Sequence, residues 1–132
     1  MGLEYSFFLP DGLLLGVPEI DEQHRALFAQ LDEIKAACVE KNHLPTALSE
    51  QLLLALREHF RTEECLAQSA GCDFAEHLQS HEEILIAIEK GLADAGSGTK
   101  DVFGVLRFLE YWFERHITEK DIALGRNLTG NI

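Results

Sequence analysis

Residues 58–81 read EHFRTEECLAQSAGCDFAEHLQSH. Two polar pairs stand in this stretch at helical spacing, His59 with Glu63 and His77 with His81. Residues four apart share one face of a helix. Gly71 lies between the pairs and is a residue that stops helices. Both pairs continue apolar stripes. Leu48, Leu52 and Leu56 lead into His59, Glu63 and Leu66, while Phe74 precedes His77, and Ile84 and Ile88 follow His81. Two helices therefore meet near Gly71, each with ionisable groups on a face that otherwise reads as core.

The pattern extends outward in both directions. A first helix is expected over about 19–40, with the stripe His24, Leu27, Leu31, Ile34 and Cys38. Lys41-Asn42-His43 ends it, and Pro45 fits the first turn of a second helix over about 45–69. The third helix is expected over about 73–92, followed by GLADAGSGTKD as a glycine-rich loop. The fourth spans about 101–121, with Val102, Val105, Leu109, Trp112 and His116 on one face, and a short tail follows. Residues 1–18, with Pro10, Gly12, Gly16 and Pro18, read as a leader loop. No segment alternates as a strand does. The expected fold is all-α: one domain over residues 1–132, an antiparallel up-down-up-down four-helix bundle with an N-terminal loop segment.

Bulk properties narrow the function. A chain of 132 residues can bury a core without disulfides. Its net charge of −12 argues against nucleic acid, whose phosphates are bound by Lys and Arg. No apolar run approaches the roughly 18 residues of a membrane span. MGLEYSFFLPDG lacks a basic n-region, so a cytoplasmic protein is expected, with no membrane or nucleic-acid partner. The odd count of three cysteines, Cys38, Cys65 and Cys72, fits reduced thiols rather than a disulfide framework. Gly2 with Ser6 matches a myristoylation pattern but has no polybasic companion. Asn127-Leu128-Thr129 is a glycosylation triplet without a secretory signal.

The decisive feature is polar residues on core stripes. Five histidines and one glutamate occupy inward positions. Burying such groups unpaired costs several kcal/mol in total, and metal coordination is a direct compensation. His24 is early in the first helix, His59 and Glu63 late in the second, His77 and His81 early in the third, and His116 late in the fourth. In an antiparallel bundle these positions share one level. His43, off every stripe, reads as a solvated loop residue. Asp121 is five residues past His116, about 500° around a regular helix and so roughly 140° off its face. For Asp121 to join the cluster, the last turn must unwind, bulge or end.

The ordered set His24, His59-x-x-x-Glu63, His77-x-x-x-His81 and His116-x-x-x-x-Asp121 resembles the hemerythrin family, as do the surrounding GVPEIDEQHRALF, HFRTEE and WFERHITEKD. The resemblance covers nearly the whole chain. It departs in the leader, where family members often carry a tryptophan and this chain has FFLPDGLLLG. It implies two iron ions (Fe2+/Fe3+) with a bridging oxide or hydroxide. His77, His81 and His116 would bind one, His24 and His59 the other, and Glu63 and Asp121 would bridge them. On the resemblance, one coordination position then remains on the iron with two histidines, as a reactive metal site requires. Dioxygen is the implied ligand. Phe60, Trp112, Phe113 and Ile117 flank the ligands and are candidates to line its pocket, with Leu13, Leu14 and Leu15 as a cap over the open end.

The expected function is reversible dioxygen binding, as carrier, store or delivery protein, rather than enzymatic turnover. The alternative is an oxygen- or redox-sensing input domain of a signalling protein; the absence of an output segment after Asp121 argues for the stand-alone role. A di-iron enzyme acting on peroxide or nitric oxide ranks third. No further acid, base or substrate cleft is apparent, and Cys65 lies roughly 200° around its helix from Glu63. The sequence names no protein partner.

Overall fold

The computed structural model describes residues 11–41, 44–98 and 101–129. His43, Gly2, Ser6 and the first ten residues of the leader lie outside the described residues. The described chain is helical almost throughout and contains no strand. After a 3₁₀ turn at Asp11–Leu13, α1 spans Pro18–Lys41, α2 Thr46–Ala70, α3 Ala75–Gly96 and α4 Val102–His116. A π turn, Ile117–Asp121, leads into α5, Ile122–Thr129. The long helices form a four-helix bundle: α1 packs on α2 and α4, α2 on α3, and α3 on α4, while α5 folds against α2.

The helix boundaries have local causes. Pro18 opens α1 in the position where its missing N–H costs nothing, and Glu19 and Asp21 face the positive end of the helix dipole. Asp21 accepts hydrogen bonds from the backbone N–H of Leu15 (2.8 Å) and Gly16 (3.1 Å), tying the leader to the start of α1. At the end of α2, Gly71 adopts φ +70°, and the Cys72 N–H reaches back to the Ala67 carbonyl at 2.9 Å. Asp101 caps α4 by accepting from the Gly104 N–H at 3.0 Å.

Two boundaries differ from the sequence expectation. The glycine-rich segment does not begin at residue 91: α3 continues to Gly96, because Leu92 is buried and Gly91 sits where α3 meets α4. A Cβ on Gly91 would lie 3.1 Å from Val105. Glycine here allows close helix approach instead of ending the helix. Nor is the chain after Asp121 a short tail. It forms α5, whose buried Leu124 and Gly125 pack inward. Smaller shifts affect α1, which starts at Pro18 inside the expected leader, and α2 and α3, which start later than expected.

The core has two parts. The larger is built from Leu27, Phe28, Leu31 and Ile34 of α1, Leu52 and Leu56 of α2, Ile84 and Ile88 of α3, and Leu106 and Leu109 of α4, with neighbours around them. A smaller cluster joins Ile20, Ala67 and Leu124, with Leu15, Val17 and Phe74 against it. In α1 and α2 the ionisable residues lie between members of these two clusters. His24 falls between Ile20 and Leu27, and Glu63 between Leu56 and Ala67. The cluster of charges is thus closed by apolar packing on both sides.

The leader completes the smaller cluster. Leu15 packs into it and Leu13 onto the larger core, whereas Leu14 is exposed and caps nothing. Leu15 rests on Gly125 so closely that an added Cβ there would lie 3.0 Å from the Leu15 Cβ and 3.2 Å from its carbonyl oxygen. The backbone contact leaves no room to yield. Gly125→Ala is therefore expected to destabilise the protein by about 1–3 kcal/mol and to loosen the leader. A lower urea midpoint together with faster proteolysis before Pro18 would show this; wild-type values for both would contradict the packing.

Candidate metal centre

Seven ionisable side chains meet inside the bundle, and all are buried: His24, His59, Glu63, His77, His81, His116 and Asp121. His24 comes from the first turns of α1, His59 and Glu63 from the second half of α2, His77 and His81 from the first turns of α3, and His116 from the end of α4. Asp121 joins them through the π turn. There the Ile122 N–H bonds to the Ile117 carbonyl, five residues back. The wider turn accommodates one extra residue, so the fifth position takes the place that the fourth has in an α-helix. Asp121 Oδ1 lies 3.2 Å from His116 Nε2, on the face a regular helix would have turned away.

The carboxylates divide the cluster. Glu63 Oε2 faces His24 Nε2 (3.5 Å) and His59 Nε2 (3.2 Å), while Oε1 faces His77 Nε2 (3.5 Å) and His81 Nε2 (3.2 Å). Asp121 Oδ2 faces His24 Nε2 (3.1 Å), while Oδ1 faces His77 Nε2 (2.8 Å) as well as His116. Two donor groups result, His77, His81 and His116 in one, His24 and His59 in the other. Each takes one oxygen from each carboxylate.

The groups do not satisfy one another. All four oxygens of Glu63 and Asp121 lack a hydrogen-bond partner, as do Nε2 of His24 and of His59. His77 Nε2 and His81 Nε2 each lie 3.0 Å from His116 Nε2. Three ring nitrogens cannot all be paired by N–H donation among themselves, since each neutral ring has one N–H. Lone pairs aimed at common points, with no protein donor to meet them, suit cations. Imidazole nitrogen with carboxylate oxygen, without thiolate, suits borderline first-row divalent ions rather than Ca²⁺ or Mg²⁺. Cys65 is exposed on the surface of α2 and Cys38 lies in the apolar core, so neither joins the donor set.

Charge balance in the metal-free protein follows from the same contacts. Burial acts to raise the Glu63 and Asp121 pKa values, but the surrounding histidines hold both well below the usual carboxylate range. Burial acts to lower the His24 pKa, yet Asp121 and Glu63 outweigh it and raise the value from 6.5 to about 9. His77 is raised by the same two carboxylates against the effect of burial. Burial instead lowers His81 to about 4, with His116 and His77 adding to the effect and Glu63 opposing it. The two carboxylates thus favour the protonated forms of His24 and His77.

Around the ligands lies an aromatic shell. Phe60 stacks on His81 with centroids 3.8 Å apart, and Trp112 on His116 at 4.4 Å. Phe113 meets His24 edge-on at 5.2 Å and His59 at 6.0 Å, and Ile117 is fully buried. Of the four residues expected to line one pocket, Phe113 lies against the two-histidine group, Trp112 against the three-histidine group, and Phe60 touches both through His59 and His81. Trp112 also borders a surface cavity with Tyr111, Arg115 and His116.

Two polar residues of the site were not singled out from the sequence. Gln23 Oε1 lies 2.7 Å from His59 Nδ1, and Ser80 Oγ lies 3.4 Å from His116 Nδ1. Each immediately precedes a ligand-type histidine, His24 or His81, yet serves the histidine of a neighbouring helix. Adjacency was the available signal; the cross-helix partner depends on how the helices are rotated.

The structure is thus a helical bundle around a buried histidine–carboxylate centre able to hold metal cations. The model of the hemerythrin HHE cation binding domain matches residues 15–125. The chain belongs to this family. No curated protein and no solved structure gives a significant match.

Cation binding must displace protons from the Nε2 atoms of the ligand histidines, above all from His24. Titrating the metal-free protein with Zn²⁺ near neutral pH should release about one proton per chain from His24, with His77 adding to it. Release should fall as pH passes about 9, where His24 is already neutral. Calorimetry in buffers of different ionisation enthalpy reads the proton count. No release, or release unchanged across that range, would contradict the assignment.

Proposed function

We propose that the protein binds dioxygen reversibly at a pair of iron ions held by the seven buried side chains. The observation that carries this reading is the asymmetry of the donor set. One group offers three imidazoles and two carboxylate oxygens, the other only two imidazoles and two carboxylate oxygens. An octahedral ion in the second group has more positions left for an external ligand. When bound, a ferrous pair would supply two electrons and an open coordination position, which together permit reversible capture of dioxygen.

The chain's own residues favour binding over turnover. Five neutral imidazoles and only two carboxylates place less negative charge at the centre than a glutamate-rich donor set would. That disfavours the highly oxidised states on which oxidising enzymes depend. Phe113, buried against His24 and His59, keeps water from the two-histidine side, and the Ile20–Ala67–Leu124 cluster closes the bundle beyond it. No acid or base beyond the seven enters the cluster among the described residues.

No described helix is long and apolar enough to cross a membrane. A role as carrier, store or delivery protein in the cytoplasm accords with the proposal.

The test is a spectral cycle on iron-loaded protein. Anaerobic reduction, admission of air and removal of oxygen should switch the visible spectrum on and off over repeated rounds. Rapid one-way conversion to the oxidised spectrum would contradict reversible binding and favour a redox-sensing role.

A further inference from the structure

The site histidines are not held equally at their outward nitrogens. His24 and His81 have no hydrogen-bond partner at Nδ1, and His116 has only the 3.4 Å contact with Ser80. His59 is gripped at 2.7 Å by Gln23. Gln23 is in turn held by Thr62, whose Oγ1 lies 3.2 Å from Gln23 Nε2. Thr62 also bonds one turn back to the Glu58 carbonyl at 3.0 Å.

The directions of these bonds are determined. A carbonyl only accepts, so Thr62 spends its single hydroxyl proton on Glu58. Its oxygen therefore meets Gln23 as an acceptor, which fixes the Gln23 NH₂ toward Thr62 and the amide oxygen toward His59. That oxygen also only accepts, so His59 Nδ1 carries a hydrogen. In the neutral ring this is the single N–H, and Nε2 then carries a bare lone pair. This lone pair faces Glu63 Oε2 at 3.2 Å without a hydrogen bond. Two lone-pair atoms so placed repel unless a cation lies between them.

We propose that Gln23 and Thr62 are positioning residues that hold His59 in the Nδ1–H form and aim its Nε2 as a cation donor at the two-histidine end of the site. The inference rests on the metal-centre reading above. It assigns a tuning role to a surface-accessible pair in the groove between α1 and α2, which also contains Arg57, Arg61 and Cys65. The rival arrangement flips the Gln23 amide. It would place an NH₂ against Nδ1 and force Thr62 to abandon the Glu58 carbonyl.

The test joins ring-nitrogen NMR of the metal-free protein to a cobalt(II) titration. Wild type should show His59 with hydrogen on Nδ1. Gln23→Leu and Thr62→Val should mix or reverse that form and weaken one of the two cobalt equivalents by about 10–100-fold, leaving the other near wild type. Gln23→Glu restores an acceptor and should recover both the Nδ1–H signal and the affinity, which a purely structural role would not predict. A bare Nδ1 in wild type, or Gln23→Leu keeping the wild-type ring form and both affinities, would overturn the proposal. Failure of the wild-type protein to bind cobalt at all would overturn the metal-centre reading and this inference with it.

Discussion

Glu63 and Asp121 carry four carboxylate oxygens into the interior of the bundle, where only imidazole nitrogens face them. Burying an ion in this way costs several kcal/mol even after relaxation. The neighbours offered in return are five imidazoles whose Nε2 atoms point at the same oxygens. Protons on the rings can offset the charge, but they cannot satisfy the Nε2 atoms of His77, His81 and His116, which crowd together in two 3.0 Å contacts. Positive ions between the lone pairs remove both problems together. The rest of the molecule is arranged to keep that exchange possible.

The fold serves the centre in two ways. It encloses the charges between a large apolar core and the small Ile20–Ala67–Leu124 cluster, so the ligands are preorganised in a low-dielectric layer. It also breaks helical regularity at one point only where regularity would fail. A straight helix through Asp121 would send the carboxylate away from His116. The π turn returns it, and α5 then resumes with Leu124 in the right place to close the end. The exposed ion pairs, such as Arg57–Glu89 and Arg115–Glu119, contribute little by comparison, because solvent screens them.

Much of this was legible from residue spacing. His59 and Glu63, and His77 and His81, stand on stripes that are otherwise leucine, isoleucine and phenylalanine, so a helical bundle with a polar layer was the economical reading. The irregular spacing of Asp121 pointed to a distorted turn without saying which kind; the choice depends on packing of the residues that follow. The continuation of α3 past Gly91 was not legible, since glycine at a tight helix crossing looks the same as glycine in a loop. The α5 segment was too short for its stripe to stand out. Gln23 and Ser80 were missed for a different reason. Their partners lie on other helices, and spacing within one helix says nothing about rotation between two.

Location of the ions tests the account most directly. Crystals of the iron-loaded protein, measured on both sides of the iron absorption edge, should give two anomalous peaks inside the bundle. One should lie among His77, His81 and His116, the other between His24 and His59, with Glu63 and Asp121 reaching both. A single peak, or iron bound only at the surface while the seven side chains keep to themselves, would contradict it.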